Sequence, residues 1–336
     1  MKIGRHSLEQ DVFVIAEIGN NHEGDIQLAQ EMIHAAAASG VQAVKFQTII
    51  PERLVAKSQS ARISQLSRFA FSPDQFANLA ATAAKAQVEF LSTPFAPEVV
   101  PWLDDLVPAF KVASGDNNYW ALLEAIALTG KPVLLSTGMS YLADVKQAIA
   151  VIETVWQNHG TQSTLIPLHC VSAYPTPLEQ ANLGAIQTLA QETGQIVGYS
   201  DHTLGIEAAI FSVLLGARVI EKHFTLSKTQ SDFRDHALSA DPNEMAELVQ
   251  QVQRVQAILG NGVKTIQDAE LPVAAAARRS IVARTSLTAG HVIGLEDLEW
   301  LRPGGGLSPG QEAALLGRCL QQAVAQGEML TAEMVA

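Results

Sequence analysis

Short apolar runs alternate with longer amphipathic or alanine-rich stretches over the first three quarters of the chain. The runs fall at Val12–Ala16, Ala43–Gln47, Val88–Ser92 and Ala109–Ala113. They continue at Val133–Leu135, Leu165–His169, Ile196–Tyr199 and Arg218–Glu221. Helical stretches lie between them, among them Ile26–Ala38, Pro73–Ala86, Leu142–Trp156 and Gly205–Leu215. A short apolar run bounded by turn residues marks a strand buried on both faces, whereas apolar spacings of three and four mark an amphipathic helix. Asp25, Ser72-Pro73 and Ser140 stand where helix N-caps are wanted, and Gly40 and Gly130 where a left-handed cap ends a helix. Eight strands alternating with helices over about 260 residues predict an α/β fold of the (β/α)8 TIM-barrel type. A doubly wound sheet is the alternative, but no dinucleotide-type glycine turn follows the first run.

Near Asn261 the pattern changes. Residues 1–261 form the expected barrel and 262–277 a linker of mixed character; 278–336 read as a small β-rich domain. In that tail Arg279–Arg284 reads as a strand, Leu295–Trp300 as a helical turn and strand, and Arg302–Gly306 as a loop. A tail of this size has little core and is expected to seek a large partner surface. The net charge of −12 disfavours nucleic acid, whose phosphates it would repel. Two distant cysteines, Cys170 and Cys319, offer no metal spacing. The start has no apolar signal-peptide core, and the longest greasy stretch, Ala208–Gly216, is far short of the ~20 residues of a membrane span. The expectation is a soluble, cytoplasmic protein with no membrane partner.

In a barrel the working face is built from the carboxyl ends of the strands. Those ends carry Glu17, Lys45 with Gln47, Ser92 with Thr93, and Lys111 with Ser114. The later ones carry Ser136 with Thr137, Ser172 with Tyr174, Ser200 with His202, and Glu221 with Lys222 and His223. Lys45, Lys111, Thr93, Ser114, Ser136 and Ser200 suit an oxyanion, since ammonium groups supply charge and hydroxyls supply donors. The competing reading pairs a lysine with Glu17 or Glu221 as a structural ion pair. His202 and His223 leave adjacent strands, so two imidazoles can meet above the rim and hold a divalent metal. The loop Asp235–Ser239 is either a polar substrate lid or a solvated turn.

Eight strings carry a resemblance: AEIGNNHEG (Ala16–Gly24), VKFQT (Val44–Thr48), FLSTPF (Phe90–Phe95), FKVASGD (Phe110–Asp116), LLSTGM (Leu134–Met139), HCVSAYPTP (His169–Pro177), GYSDHT (Gly198–Thr203) and EKHFT (Glu221–Thr225). In this order they resemble the sialic acid (N-acetylneuraminate) synthase family. The tail, from RSIVAR through RPGGGLSP, resembles the antifreeze-protein-like (SAF) domain attached to those enzymes. The resemblance implies a transferase that condenses phosphoenolpyruvate with an N-acetylated hexose, giving a nonulosonic acid and phosphate. It implies phosphoenolpyruvate contacts from Lys45, Thr93, Lys111, Ser114, Ser136 and Ser200, with Ser172 where some members carry asparagine. Glu17, Glu221 and Asp116 would be the carboxylates near the reacting centre; Tyr174 and Asp235 would line the pocket. His202 and His223 would hold the metal, usually manganese, with magnesium or cobalt as alternatives. Arg302 would reach the sugar's N-acyl group in a neighbouring subunit of a domain-swapped homodimer.

Three departures fall mostly on the acceptor side. Ser114-Gly115-Asp116 stands for the family's frequent Ser-Gly-Glu, Ser172 replaces asparagine, and Ile50–Phe71 lacks an aromatic-rich segment. A 2,4-diacetamido sugar, as for legionaminic or pseudaminic acid, is the nearest rival acceptor. A phosphorylated sugar would need a further basic cluster, and the strand ends offer few spare cations. A non-catalytic carbohydrate-binding protein is the remote alternative.

Overall fold

The computed structural model describes residues 1–9 and 11–336, which divide into two compact units, Met1–Gly260 and Asn261–Ala336. In the first, eight parallel strands follow one another: β1 (Phe13–Gly19), β2 (Ala43–Thr48), β3 (Glu89–Pro94), β4 (Phe110–Val112), β5 (Val133–Ser136), β6 (Leu165–Cys170), β7 (Gly198–Asp201) and β8 (Val219–His223). Their hydrogen-bonded order is β3-β2-β1-β8-β7-β6-β5-β4, and β3 also packs against β4, so the sheet curls into a nearly closed barrel. All eight expected strands are present, with ends shifted by a few residues.

Alternation along these strands sets the plan. Phe13, Ile15, Ala43, Leu91, Ala109, Leu134, Leu168 and Val219 fill the barrel interior. Ile3 and Leu8, on and beside an N-terminal hairpin, join the same cluster. The intervening residues, such as Val14, Val44, Phe90, Leu135 and Ile220, face the helical layer in a second, larger core. Counting onward by twos from the interior residues reaches Glu17, Lys45, Thr93, Lys111, Ser136, Cys170, Ser200 and Glu221. The interior is thus apolar below and polar at the carboxyl ends.

Helices α1 (Ile26–Ala38) and α3 (Pro73–Lys85) begin at the expected caps: Asp25 accepts from the amides of Gln27 and Leu28, and Ser72 forms a capping box with Gln75. The cap of α5 (Leu142–His159) falls one residue later than expected, since Asp144 accepts from the Tyr141 amide while Ser140 bonds to Gly138. Helices α2 (Ser60–Phe69), α4 (Trp120–Leu128), α6 (Ala185–Thr193) and α8 (Pro242–Leu259) were not singled out by pattern; α7 (Glu207–Leu214) was. In α4 the run WALLEAIAL is apolar on nearly every side, so it has no periodic contrast to read.

The second unit has an antiparallel pair, β9 (Ser280–Ala283) with β10 (Leu298–Leu301), over a core that includes Ile281, Leu298, Leu315, Leu320 and Leu330. The stretch 262–277, expected as a linker, contains α9 (Leu271–Ala277) and groups with this unit; Ala275 O accepts from the Gly304 amide at 2.9 Å. Leu298 is fully buried in this small core. Leu298→Ala is expected to cost about 2–5 kcal/mol locally. Amide hydrogen exchange should then accelerate in β9 and β10 and leave β1–β8 as protected as before.

Candidate active site

The carboxyl ends of the strands open into a cavity of about 920 Å³. On its floor four buried charges meet. Lys45 Nζ lies 2.6 Å from Glu17 Oε2 and 3.6 Å from Glu221 Oε1, and Lys111 Nζ lies 3.9 Å from the same Glu221 oxygen. Ladder register explains the meeting: β1 pairs Glu17 with Lys45 on one side and with His223 on the other, and β8 pairs Glu221 with Ser200. Burial pushes the Glu17 carboxyl up to about 6, against the pull of Lys45 and with help from Glu221. Burial would raise Glu221 too, but Lys111 and Lys45 outweigh it and hold it below the usual range. Burial lowers the Lys111 ammonium; for Lys45 the two carboxylates overcome burial and hold it above its usual value.

Hydroxyls surround the ammonium groups. Lys45 donates to Thr93 Oγ1 at 3.0 Å, Lys111 to Ser136 Oγ at 2.6 Å, and Ser200 Oγ donates to Glu221 at 3.2 Å. Ser114 Oγ accepts from the Gly138 amide at 3.1 Å. A Cβ at Gly138 would collide with the hydroxyls of Ser172 and Ser114, so glycine lets these two close in from neighbouring loops. The set offers two cations and several short donors around one point, which suits the oxygens of a phosphate or carboxylate.

His202 and His223 face each other with ring centroids 5.4 Å apart, and Tyr174 packs 4.3 Å from the His202 ring. His202 Nδ1 lies 3.0 Å from Val171 O, which can only accept; Nδ1 therefore carries the proton and leaves the Nε2 lone pair free. His223 Nδ1 and Glu221 Oε2 are buried without a hydrogen-bond partner. Burial, together with the neighbouring imidazole of His202, holds His223 well below the usual range, which keeps it neutral. Burial lowers His202, but Cys170, Val171 O and the Glu221 charge outweigh it and hold this imidazole above its usual value, so a divalent cation bound here would displace its proton. Two imidazoles beside an unpartnered carboxylate oxygen are a donor set that fits such a cation. Among the described residues no group of three or more His, Cys, Asp or Glu side chains converges on a metal position. The two imidazoles would therefore leave most coordination positions to water or substrate.

The cavity wall comes from segments outside the strand ends. Helix α2 is seated by Leu66 and Phe69 on Ile49 and presents Arg62, Gln65, Arg68 and Phe69 to the cavity. Beside it, Ser231–Asp235 lines the cavity as well. Ser231 Oγ donates to Glu23 Oε1 at 2.6 Å, Phe233 packs on Phe69 with ring centroids 5.2 Å apart, and the Arg234 guanidinium lies 4.7 Å above Tyr174. Asp235–Leu238, expected as part of a loop, is one helical turn with Asp235, His236, Leu238 and the following Ser239 buried, so the segment Asp235–Ser239 is not a solvated turn; of it only Asp235 lines the cavity.

Of the residues singled out by sequence, Glu17, Lys45, Gln47, Thr93, Lys111, Ser114, Ser136, Ser172, Tyr174, Ser200, His202, Glu221, His223 and Asp235 line this one cavity. Ser92, Thr137 and Lys222 do not. Ser92 bonds to Thr48 and Phe46 O, Thr137 to Leu168 O, and Lys222 to Asp201. Asp116 lies in a 3₁₀ turn and is absent from the lining, although Lys111 acts on its charge. Arg302 is exposed in the second unit. The expected shortage of cations needs correction: Arg62, Arg68 and Arg234 line the cavity, carried there by a helix and a loop that strand-end reasoning does not reach. Arg62, Gln65 and Phe69 share one helical face, a spacing visible in the sequence.

A barrel whose carboxyl-end face gathers two buried lysines, hydroxyls, carboxylates and a pair of imidazoles has the active-site layout of a TIM-barrel enzyme. The NeuB family model matches residues 32–264 and the SAF domain model residues 278–336. The chain belongs to the NeuB family. It is 39% identical to the N,N'-diacetyllegionaminic acid synthase of Legionella pneumophila over 96% of this chain and 94% of that one. It is 34% identical to the N-acetylneuraminate-9-phosphate synthase of Mus musculus over 85% of this chain and 82% of that one. A crystal structure of the N-acetylneuraminic acid synthetase of Leptospira borgpetersenii in complex with citrate aligns with a TM-score of 0.76 at 35% identity, over 81% of this chain and 94% of that one. These relatives are sugar-acid synthases, as the eight strand-end strings implied.

Burial pushes the Asp116 carboxyl up to about 6, with Lys111 opposing. The folded protein holds this proton more tightly than the unfolded chain does. Its contribution to stability is therefore present in acid and lost as the pH rises through about 6. Asp116→Asn should raise thermal stability at about pH 8, by about 1 kcal/mol after solvent screening. The gap should close toward about pH 4, as differential scanning calorimetry at the two pH values would show.

Proposed function

We propose that this protein condenses phosphoenolpyruvate with the open aldehyde form of an N-acylated hexose, giving a nonulosonic acid and phosphate. The observation that carries the reading is the buried quartet of Glu17, Lys45, Glu221 and Lys111 beneath two facing imidazoles in one cavity. Lys45 and Lys111, with Thr93, Ser136, Ser114, Ser172 and Ser200, hold the phosphate and carboxylate of phosphoenolpyruvate. A divalent ion on His202 and His223, manganese first and magnesium or cobalt as alternatives, would polarise the aldehyde oxygen when bound. C3 of phosphoenolpyruvate attacks the aldehyde carbon, and positive charge develops at C2. Glu221, kept ionised by the lysines, faces that charge without having to move. Water adds at C2 and gives its proton to Glu17, whose carboxyl at about 6 is ionised at neutral pH yet accepts a proton readily. The oxygen of the former aldehyde takes up that proton and becomes a hydroxyl. The bond from C2 to the phosphate oxygen then breaks as the C2 hydroxyl closes to the ketone, and its proton leaves with phosphate.

The test is phosphate release from phosphoenolpyruvate on addition of an acceptor. Release should need both the sugar and a divalent metal, stop with chelator and resume with manganese. Full turnover in excess chelator, or in the His202→Ala and His223→Ala double variant, rejects the metal assignment. An isotope label on the bridging oxygen should leave with phosphate; retention in the sugar acid rejects attack of water at C2.

A phosphorylated acceptor is a second reading, and one observation favours it. Arg62 and Arg68 line the cavity without a carboxylate within 4.0 Å among the described residues, in a chain of net charge −12. The acceptor screen therefore runs N-acetylmannosamine, its 6-phosphate and a 2,4-diacetamido sugar side by side. The acceptor with the highest kcat/KM decides between the readings.

A domain-swapped homodimer, with Arg302 reaching the acyl group in the partner's barrel, belongs to the same proposal; its support is that Arg302 is exposed. Arg302→Ala protein is mixed with His202→Ala protein under conditions shown to exchange subunits. Action in trans should restore about a quarter of wild-type sites, because roughly half the dimers are mixed and one site of two is whole. No recovery from two nearly inactive variants rejects it.

A further inference from the structure

We infer that the Lys222–Asp201 ion pair is a clamp that positions His202 and His223. Lys222 and Asp201 face each other as the last rung of the β7–β8 ladder. Their side chains point away from the cavity and are buried to 1% and 0% exposure. Lys222 Nζ donates to Asp201 Oδ2 at 2.8 Å and to Thr203 O at 2.6 Å. Asp201 Oδ1 accepts from the Thr203 amide at 2.8 Å and from the Tyr199 hydroxyl at 3.2 Å. One ammonium therefore grips the residue before His202 and the residue after it, and its own backbone leads directly into His223.

The place matters. Beyond this rung no β7–β8 ladder bond holds residue 202; its carbonyl accepts from the Thr176 amide and its Nδ1 donates to Val171 O, both on the segment that follows β6. The surroundings are apolar, with Tyr199, Ile220 and Phe224 in the same outer core. A buried ion pair in such a setting is seldom more stable than well-packed apolar residues of similar volume, whereas removal of one partner is strongly destabilising. Its contribution here is geometric. It fixes two backbone segments so that the imidazoles on the opposite face stay side by side. A metal held by only two protein ligands depends on that spacing, because no third ligand corrects an error. The inference rests on the reading of His202 and His223 as a divalent-cation site.

The full-length protein separates the possibilities. Lys222→Met with Asp201→Leu removes both charges and keeps the site apolar; Asp201→Glu keeps both charges but moves the carboxylate by one methylene and serves if the double change does not fold. Mn²⁺ alone is the probe, titrated by electron paramagnetic resonance of the free ion. Phosphoenolpyruvate binding is measured separately in chelator, and thermal unfolding without metal. The double variant leaves the Tyr199 hydroxyl and the Thr203 amide and carbonyl without these partners, so it should unfold below wild type, yet in its folded state bind Mn²⁺ about 10–100-fold more weakly. Asp201→Glu should shift in the same direction by a smaller factor. Phosphoenolpyruvate affinity in chelator should fall by a much smaller factor than Mn²⁺ affinity, since Lys45, Lys111, Thr93 and Ser136 stand on other strands and only Ser200 adjoins Asp201. Unchanged Mn²⁺ affinity in a folded variant, with tight binding by wild type, overturns the clamp and leaves the cation site standing. Equal loss of phosphoenolpyruvate affinity in chelator overturns it as well, because a general loosening would then be the cause. Absence of Mn²⁺ binding by wild type overturns the cation site and the clamp together.

Discussion

Charges drawn into the interior of a barrel have to neutralise one another, and the upper layer of this protein is arranged around that requirement. A lone buried ammonium or carboxylate would shed or take up its proton. Here Lys45 lies between Glu17 and Glu221, and Lys111 shares the Glu221 oxygen. Two cations and two carboxylates make a floor with no net charge, so the protein can hold them out of water. An arriving anion changes the balance without a charge having to be created. In the proposed reaction it would take over the ammonium groups and leave the carboxylates beside the reacting carbon. The ion-pair reading of Lys45 is met by Glu17 at 2.6 Å, and the proposed function asks the same lysines to hold the anion as well.

The same alternation that fills the barrel with Phe13, Ile15, Leu91, Leu134 and Val219 delivers the quartet one step higher. Apolar layers below fix the strands, and the strands fix the charges. The outward positions repeat this logic on the other side of the sheet. There Lys222 and Asp201 form a second buried pair, which faces the helices. The inner quartet and the outer pair come together at β8, which carries Glu221 and Lys222 side by side and ends in His223.

Acceptor-side geometry has a different origin. Helix α2 and the loop Ser231–Asp235 are not part of the ladder, and they are held to each other through Phe69 and Phe233. The loop is also tied to the segment after β1 through Ser231 and Glu23. Such a wall can change its lining without disturbing the floor. The relatives named above are a synthase of N,N'-diacetyllegionaminic acid and a synthase of N-acetylneuraminate 9-phosphate, two different products within one family.

The sequence alone determined the barrel, its eight strands and the polar exits, because strand burial and the two-residue period are local properties that eight repeats make unmistakable. It also carried the strings that mark the family, and it placed fourteen of the candidate residues on what proved to be one cavity. Tertiary structure decided the rest. Which lysine meets which carboxylate depends on ladder register across β1, β2 and β8. That Arg62 and Arg68 reach the cavity depends on how α2 seats Leu66 and Phe69, a packing choice invisible in a polar helix. That Lys222, one residue from a cavity imidazole, serves the opposite face depends on the side of the sheet it takes. Pattern gives each residue its element and its parity; only the folded chain brings together residues that are distant in sequence.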